Sequence, residues 1–176
     1  SVVEDGARVC KENGCDFVVA LGGGSVMDAA KSMAFLAPQE SEDLWKYVYA
    51  GTGGKQAPEH PSLPYICITT SAGTGSEVDD VAVITNPDTL EKIGVWAADL
   101  MPTFSIVDPE LMLSIPPALT AYQGFDAFFH AAEGYIGKGH TPISDLYALE
   151  AVRLLYKYLP VAVNDPSNMW ARIKVA

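Results

Sequence analysis

The chain of 176 residues carries 22 acidic and 11 basic side chains, a net charge of −11, with 49% hydrophobic and 19% charged residues. That is a globular composition rather than a disordered one, and the length suits one domain or one and a half. The acidic balance argues against nucleic acid as a partner, because a phosphate-backbone reader needs a basic surface, and against docking on an anionic membrane.

The sequence begins mid-pattern, in what reads as a helix, without an initiator Met, and ends abruptly at Ile173-Lys174-Val175-Ala176. The expectation is a segment of a longer protein. Residues 2–13 read as an amphipathic helix closed by Gly14. Asp16 to Leu21 is a short apolar run, predicted as a strand covered on both faces. Gly22-Gly23-Gly24-Ser25 follows at once, then a helix over Val26 to Leu36 with Asp28 and Lys31 on it. Strand, glycine turn and helix in that order cradle phosphate: glycines let the backbone approach, and free amides with the helix dipole favour an anion. Ser25 is a natural N-cap. The G-x-G-x-x-G fingerprint is absent, and a triple glycine before a helix also serves as a plain tight turn.

A helix over 41–50 is predicted from Ser41 with Glu42 and Asp43 in its first turn. Gly51 to Pro64 reads as loop, and Pro64 to Thr69 as a second apolar strand. It runs into Thr70-Ser71-Ala72-Gly73-Thr74-Gly75-Ser76-Glu77, where glycines and hydroxyls suit a phosphate or ribose or, equally, a turn bonded to its own backbone. Two such loops after buried strands fit ligand binding at the carboxyl ends of a parallel sheet. Val78 to Thr85 and Lys92 to Trp96 flank Asn86-Pro87-Asp88 as a hairpin. Phe104 to Val107 is a last strand. From Ala118 the pattern turns helical, with a second helix from about Ile143 to Leu159 that Pro160 stops.

In the first of these helices Asp126 and His130 lie four residues apart, on one face. Carboxylate and imidazole are ligands for a divalent first-row metal, and also the makings of an ordinary helix-surface pair. Phe125, Phe128, Phe129, Ala131 and Ala132 flank them, so this face is expected to be buried, where such groups need compensation. Cys10, Cys15 and Cys67 are odd in number and show no paired spacing. They read as free thiols of a reducing compartment, with Cys67 in the core. With no signal-peptide pattern and no apolar run long enough to span a bilayer, the expectation is a cytoplasmic protein.

Together these motifs resemble the iron-containing (group III) alcohol dehydrogenases, most of all their butanol dehydrogenase and lactaldehyde reductase branch. The matching residues are Gly22-Gly23-Gly24-Ser25 with Asp28 and Lys31, Gly73-Thr74-Gly75-Ser76-Glu77, Asp108-Pro109-Glu110-Leu111, Pro116-Pro117-Ala118-Leu119-Thr120-Ala121, and Gly124-x-Asp126-x-x-x-His130-Ala131-x-Glu133-x-Tyr135. The resemblance implies an α/β fold. A partial Rossmann-like cofactor domain over 1–115, lacking its first strands, would precede the first helices of an all-α metal domain over 116–176, as in dehydroquinate synthase-like architectures. It implies that Gly23, Gly24 and Ser25 hold the pyrophosphate of NAD or NADP, with Asp28 close by. Thr70, Ser71 and Thr74 would line the adenosine and diphosphate side, and Lys92 would contact the cofactor. Asp126 and His130 would be two of four ligands to Fe2+ or, in some members, Zn2+.

The implied reaction is hydride transfer between NAD(P) and a primary or secondary alcohol or its aldehyde, the metal polarising the substrate oxygen. The complete enzyme would be a homo-oligomer. The family's two further histidine ligands have no counterpart here: His140 reads as a surface loop residue, and His60 sits among Pro and Glu. The isolated segment is therefore expected to be inactive. No general base stands out. Two other readings stay open: a nucleotide-binding module without chemistry, and a zinc-dependent relative such as a glycerol dehydrogenase.

Overall fold

A computed structural model describes residues 1–176, apart from the side chain of Ala98. The chain divides into two compact units, one of residues 1–69 and 76–106, the other of residues 70–75 and 107–176.

The first unit is α/β. Helix α1 (Val2–Glu12) opens on a capping box, in which Ser1 Oγ accepts from Glu4 N–H at 3.4 Å and the Glu4 carboxylate accepts from the Ser1 amino group at 2.7 Å, the reciprocal pairing of such a box. Strand β1 (Val18–Gly22) leads through the glycine turn into α2 (Gly24–Leu36), and the chain returns as β2 (Tyr65–Thr69). β1 and β2 pair in parallel with Val18 opposite Tyr65 and Gly22 opposite Thr69, so the two strands end level. β5 (Phe104–Val107) lies on the other side of β2. Parallel neighbours need a crossover, and the stretch containing α2 supplies it. β3 (Val81–Thr85) and β4 (Lys92–Trp96) form the separate antiparallel hairpin expected around Asn86-Pro87-Asp88.

Two apolar clusters hold this unit. Ala20, Tyr65 and Cys67 of the sheet pack on Met27, Ala30 and Ala34 of α2. Val3 and Ala7 of α1 pack with Phe35, Leu36, Leu44, Tyr47 and Val48. At about 25 cal/mol per Å2 of buried apolar area, clusters like these dominate stability.

Three expectations fail here. β1 is not covered on both faces: Ala20 is buried, but Val19 and Leu21 are 49% and 61% exposed. No helix spans 41–50. Only a 3-10 turn forms at Leu44–Tyr47, capped by the Asp43 carboxylate. The carbonyls a longer helix would use are taken: Trp45 O accepts from Gly54 N–H, Lys46 O from Gln56 N–H, and Val48 O from Lys55 N–H, at 2.8–3.1 Å. Ser25 is not the N-cap of α2; Gly23 is, without a side-chain cap, because the helix starts one residue before Ser25.

The second unit is helical: α3 (Pro117–Ile136), α4 (Pro142–Asn164) and α5 (Met169–Val175). Leu155, Ala162, Ala171 and Val175 form its buried cluster. Arg172 is buried and ties α5 to the start of α3, its guanidinium donating to Thr120 Oγ1 at 2.8 Å and to Ile115 O at 3.1 Å. Pro160 does not stop α4. The helix runs one turn further, because fully buried Ala162 anchors that turn and Asn164 Nδ2 donates to Pro160 O at 2.8 Å. The missing proline N–H costs one ladder bond, which that packing offsets.

Candidate functional site

In the first unit the glycine turn leaves the end of β1 and becomes the first turn of α2. The amides of Val26 and Met27 both return to Gly23 O, at 3.0 and 3.1 Å. Gly24 and Ser25 occupy the next positions inside the helix, where an N–H has no intrahelical partner. No side chain caps this end, and Ser25 is exposed. An uncapped helix start with an exposed serine is chemically suited to an anion.

Asp28 and Lys31 lie one and two turns further on, and the fold uses both. Asp28 Oδ1 accepts from the Ser76 hydroxyl at 2.7 Å and Oδ2 from Val83 N–H at 3.1 Å. The Lys31 side chain is wholly buried, and its ammonium donates to Asp79 Oδ1 at 2.6 Å and to the carbonyls of Asp79 and Val81, each at 2.9 Å. A buried charge is tolerated when it is paired and fully hydrogen-bonded. These two residues of the glycine motif thus fasten α2 to residues 76–83. Lys92 begins β4, opposite Thr85, and is exposed.

In the second unit α3 places Asp126 and His130 on one face, Oδ1 to Nε2 3.8 Å apart. Both are exposed, 49% and 60%, as are Phe125 and Phe129. The expected burial of this face is not observed: the helix turns Thr120 and Gly124 inward instead. The segment Thr70–Gly75 belongs to the same unit. Ala72 N–H donates to Gln123 Oε1 at 3.3 Å. Gly73 sits at φ +105°, and a Cβ there would lie 2.7 Å from Gln123 O and 3.1 Å from Asp126 Oδ2, so only glycine brings this loop so close to α3. Between loop and helix lies a cavity of about 330 Å3 lined by Ser71, Ala72, Thr74, Tyr122, Gln123 and Asp126.

The oxygen–nitrogen pair fits a divalent metal. Two donors each about 2.1 Å from one ion lie at most about 4.2 Å apart, and 3.8 Å is inside that limit. Among the described residues no cluster of three or more His, Cys, Asp or Glu side chains is arranged to hold a metal, so the pair supplies part of a donor set. His140 is exposed, 3.1 Å from Asp145, as a surface residue would be. The sequence alone does not single out Gln123 and Tyr122. Only their place just before Gly124-x-Asp126 marks them, and nothing in their spacing separates them from solvated residues. Among the described residues no helix is long and apolar enough to cross a membrane.

The NAD-dependent methanol dehydrogenase of Bacillus methanolicus is 40% identical over 174 residues, covering 99% of this chain and 44% of that protein. The 1,3-propanediol dehydrogenase of Klebsiella pneumoniae is 39% identical over 174 residues, covering 99% of this chain and 43% of that one. Among solved structures, sulfoacetaldehyde reductase from Bifidobacterium kashiwanohense in complex with NAD+ superposes with a TM-score of 0.90 at 42% identity, over 98% of this chain and 45% of its own. The chain thus spans less than half the length of the relatives it matches. Residues 1–109 match the model of iron-containing alcohol dehydrogenases and residues 120–176 that of the family's C-terminal part. On these matches, the chain belongs to the iron-containing alcohol dehydrogenase family.

Proposed function

We propose that the complete protein is an NAD(P)-dependent dehydrogenase that moves a hydride between the nicotinamide and a small primary or secondary alcohol or its aldehyde. The observation that carries this reading is the Asp126–His130 pair, set 3.8 Å apart on an exposed helix face beside the Gly73 loop. A carboxylate and an imidazole left unburied, with a glycine reserved so that a hydroxyl-bearing loop can pass close by, suit a ligand better than they suit packing.

In this reading residues 1–115 serve the cofactor and 116–176 begin a helical metal domain. The Gly24 and Ser25 amides, at the positive end of α2, hold the pyrophosphate, with Gly23 admitting it. Asp28 acts by fixing α2, through Ser76 and Val83. Thr70, Ser71 and Thr74 offer hydroxyls to the adenosine diphosphate side, and Lys92 offers a cation. Asp126 and His130 hold Fe2+ or Zn2+ together with ligands from outside this chain. The bound metal supplies Lewis acidity to the substrate oxygen. Asp126 and His130 would orient it. A cytoplasmic setting and, for the complete enzyme, a homo-oligomer belong to the same reading.

The test uses the full-length protein, stripped with a chelator and reconstituted with Fe2+ or Zn2+, under NAD- and NADP-linked assay with a panel of short alcohols. The expected result is activity lost on stripping, restored by one of the metals, and absent in Asp126→Ala while nucleotide binding persists. Activity indifferent to both chelation and Asp126→Ala overturns the metal role. Nucleotide binding without turnover of any alcohol favours a binding module.

A further inference from the structure

The sequence offered no paired cysteine spacing, yet the fold pairs two. Cys10 lies in the last turn of α1 and Cys15 just beyond it. Gly14 takes φ +61°. Gly14 N–H donates to Lys11 O at 3.3 Å and Cys15 N–H to Cys10 O at 3.0 Å. These are the two crossed bonds of a Schellman cap, with glycine at the left-handed position. In that cap the side chains of its first and sixth residues meet, ordinarily as an apolar contact. Here both are thiols.

The thiols feel each other: burial, and then the neighbouring Cys15, push the Cys10 thiol up. A hydrogen bond between the two residues' own peptide groups bounds their Cα separation at about 7 Å, which is the reach of a disulfide. Both side chains are partly exposed. Cys67 is unlike them, wholly buried and pushed up to about 11 by burial.

We propose that Cys10 and Cys15 are a dithiol modification site, which a small disulfide oxidant such as oxidised glutathione converts to an intramolecular disulfide across the C-cap of α1. One cysteine loses its proton, and its thiolate attacks a sulfur of the oxidant. The oxidant's S–S bond breaks and one small thiolate leaves. The second cysteine's thiolate then attacks the protein sulfur of the mixed disulfide, forming the Cys10–Cys15 bond and releasing the other small thiolate. The protein loses two electrons and two protons. The oxidant gains both and leaves as two thiols. The cap precedes β1 and the glycine turn follows it, so the bond tightens the end of α1 from the strand end opposite the turn.

The experiment treats the purified full-length protein with oxidised glutathione, unfolds it, alkylates the remaining thiols and digests with trypsin. Lys11 separates the two cysteines, so only a disulfide keeps the peptide ending at Lys11 joined to the one beginning at Glu12. The expected result is that joined pair, dissolved by reductant, in a protein lighter by two hydrogens, with Cys67 alkylated. In Cys15→Ser the joined pair vanishes and Cys10 carries one glutathione instead. Cys67→Ser leaves the yield unchanged. Full alkylation of Cys10 and Cys15 under excess oxidant, or cross-links that run to Cys67 or between molecules, overturns the proposal.

Discussion

The glycine turn and the α3 face handle their polar groups in opposite ways. Around α2 the fold consumes them: Asp28 has both oxygens bonded, and Lys31 is sealed from water with three acceptors. What is left uncapped there is backbone, at the start of the helix. On α3 the fold leaves the side chains open, with Asp126 and His130 facing solvent and within ion-pair distance of each other. Polar residues of one family motif can therefore be scaffold, while those of another, the proposed metal donors, stay exposed. Stability and activity are the two readouts that separate these roles.

The sharpest separation comes from His130→Ala in the full-length enzyme. Polarising a substrate oxygen is worth several kcal/mol, and about 1.4 kcal/mol is tenfold in rate. Turnover should fall about a thousandfold or more, with bound metal depleted on elemental analysis. The melting temperature of the metal-free protein should not move, since an exposed side chain away from the core changes stability by about 0.5 kcal/mol or less. A large loss of stability with metal retained would place His130 among the scaffold residues.

Asp79→Ala should invert that pattern. It strands the Lys31 ammonium in the core with only carbonyls for company. Removing one partner of a buried pair costs about 3–5 kcal/mol, and the low end is expected because Asp79 is itself 41% exposed. Chemical denaturation should report the loss. Nucleotide affinity at temperatures where the variant stays folded should be close to wild type. An unchanged denaturation midpoint would mean that water reaches Lys31.

How far these roles could be read in advance depended on where each residue's partners lie. The strand at Phe104 to Val107, the helix closed at Gly14 and the Asp126–His130 face follow from local period and punctuation, and the structure has them. The helix over 41–50 was wrong because Trp45, Lys46 and Val48 give their carbonyls to residues 54–56, which no helical propensity encodes. Pro160 does not end its helix because a buried Ala162 outweighs one lost bond. The burial foreseen for Phe125 and Phe129 rested on hydrophobicity alone, which cannot say whether a covering segment is present. Asp28 and Lys31 looked alike as motif members. Their engagement with Ser76, Asp79 and Val83 is long-range and invisible to spacing. The thiol contact of Cys10 and Cys15 was legible in principle, since a cap glycine between them fixes it.

Gly73→Ala tests whether the loop's approach to α3 matters to the chemistry. The backbone there is strained for any L side chain, at about 1–3 kcal/mol. The new methyl also meets Gln123 O and the Asp126 carboxylate. Stability should drop within that range, and turnover should fall by about tenfold or more as Asp126 is displaced. If stability falls and turnover per folded molecule holds, the close approach is structural only.

The smallest effect is expected from Ser25→Ala, and it bears on the glycine turn most directly. Ser25 caps nothing, since Gly23 holds that position without a side-chain bond. Losing its hydroxyl should leave the denaturation midpoint within about 0.5 kcal/mol of wild type. If the turn cradles a pyrophosphate, the hydroxyl contributes one hydrogen bond to a charged group, worth about 1.5–3 kcal/mol. The KM for the nucleotide should then rise about tenfold or more, with little change in turnover at saturation. A KM unmoved by Ser25→Ala would leave the amides of Gly24 and Ser25 as the only donors of the turn and restrict the site to backbone recognition.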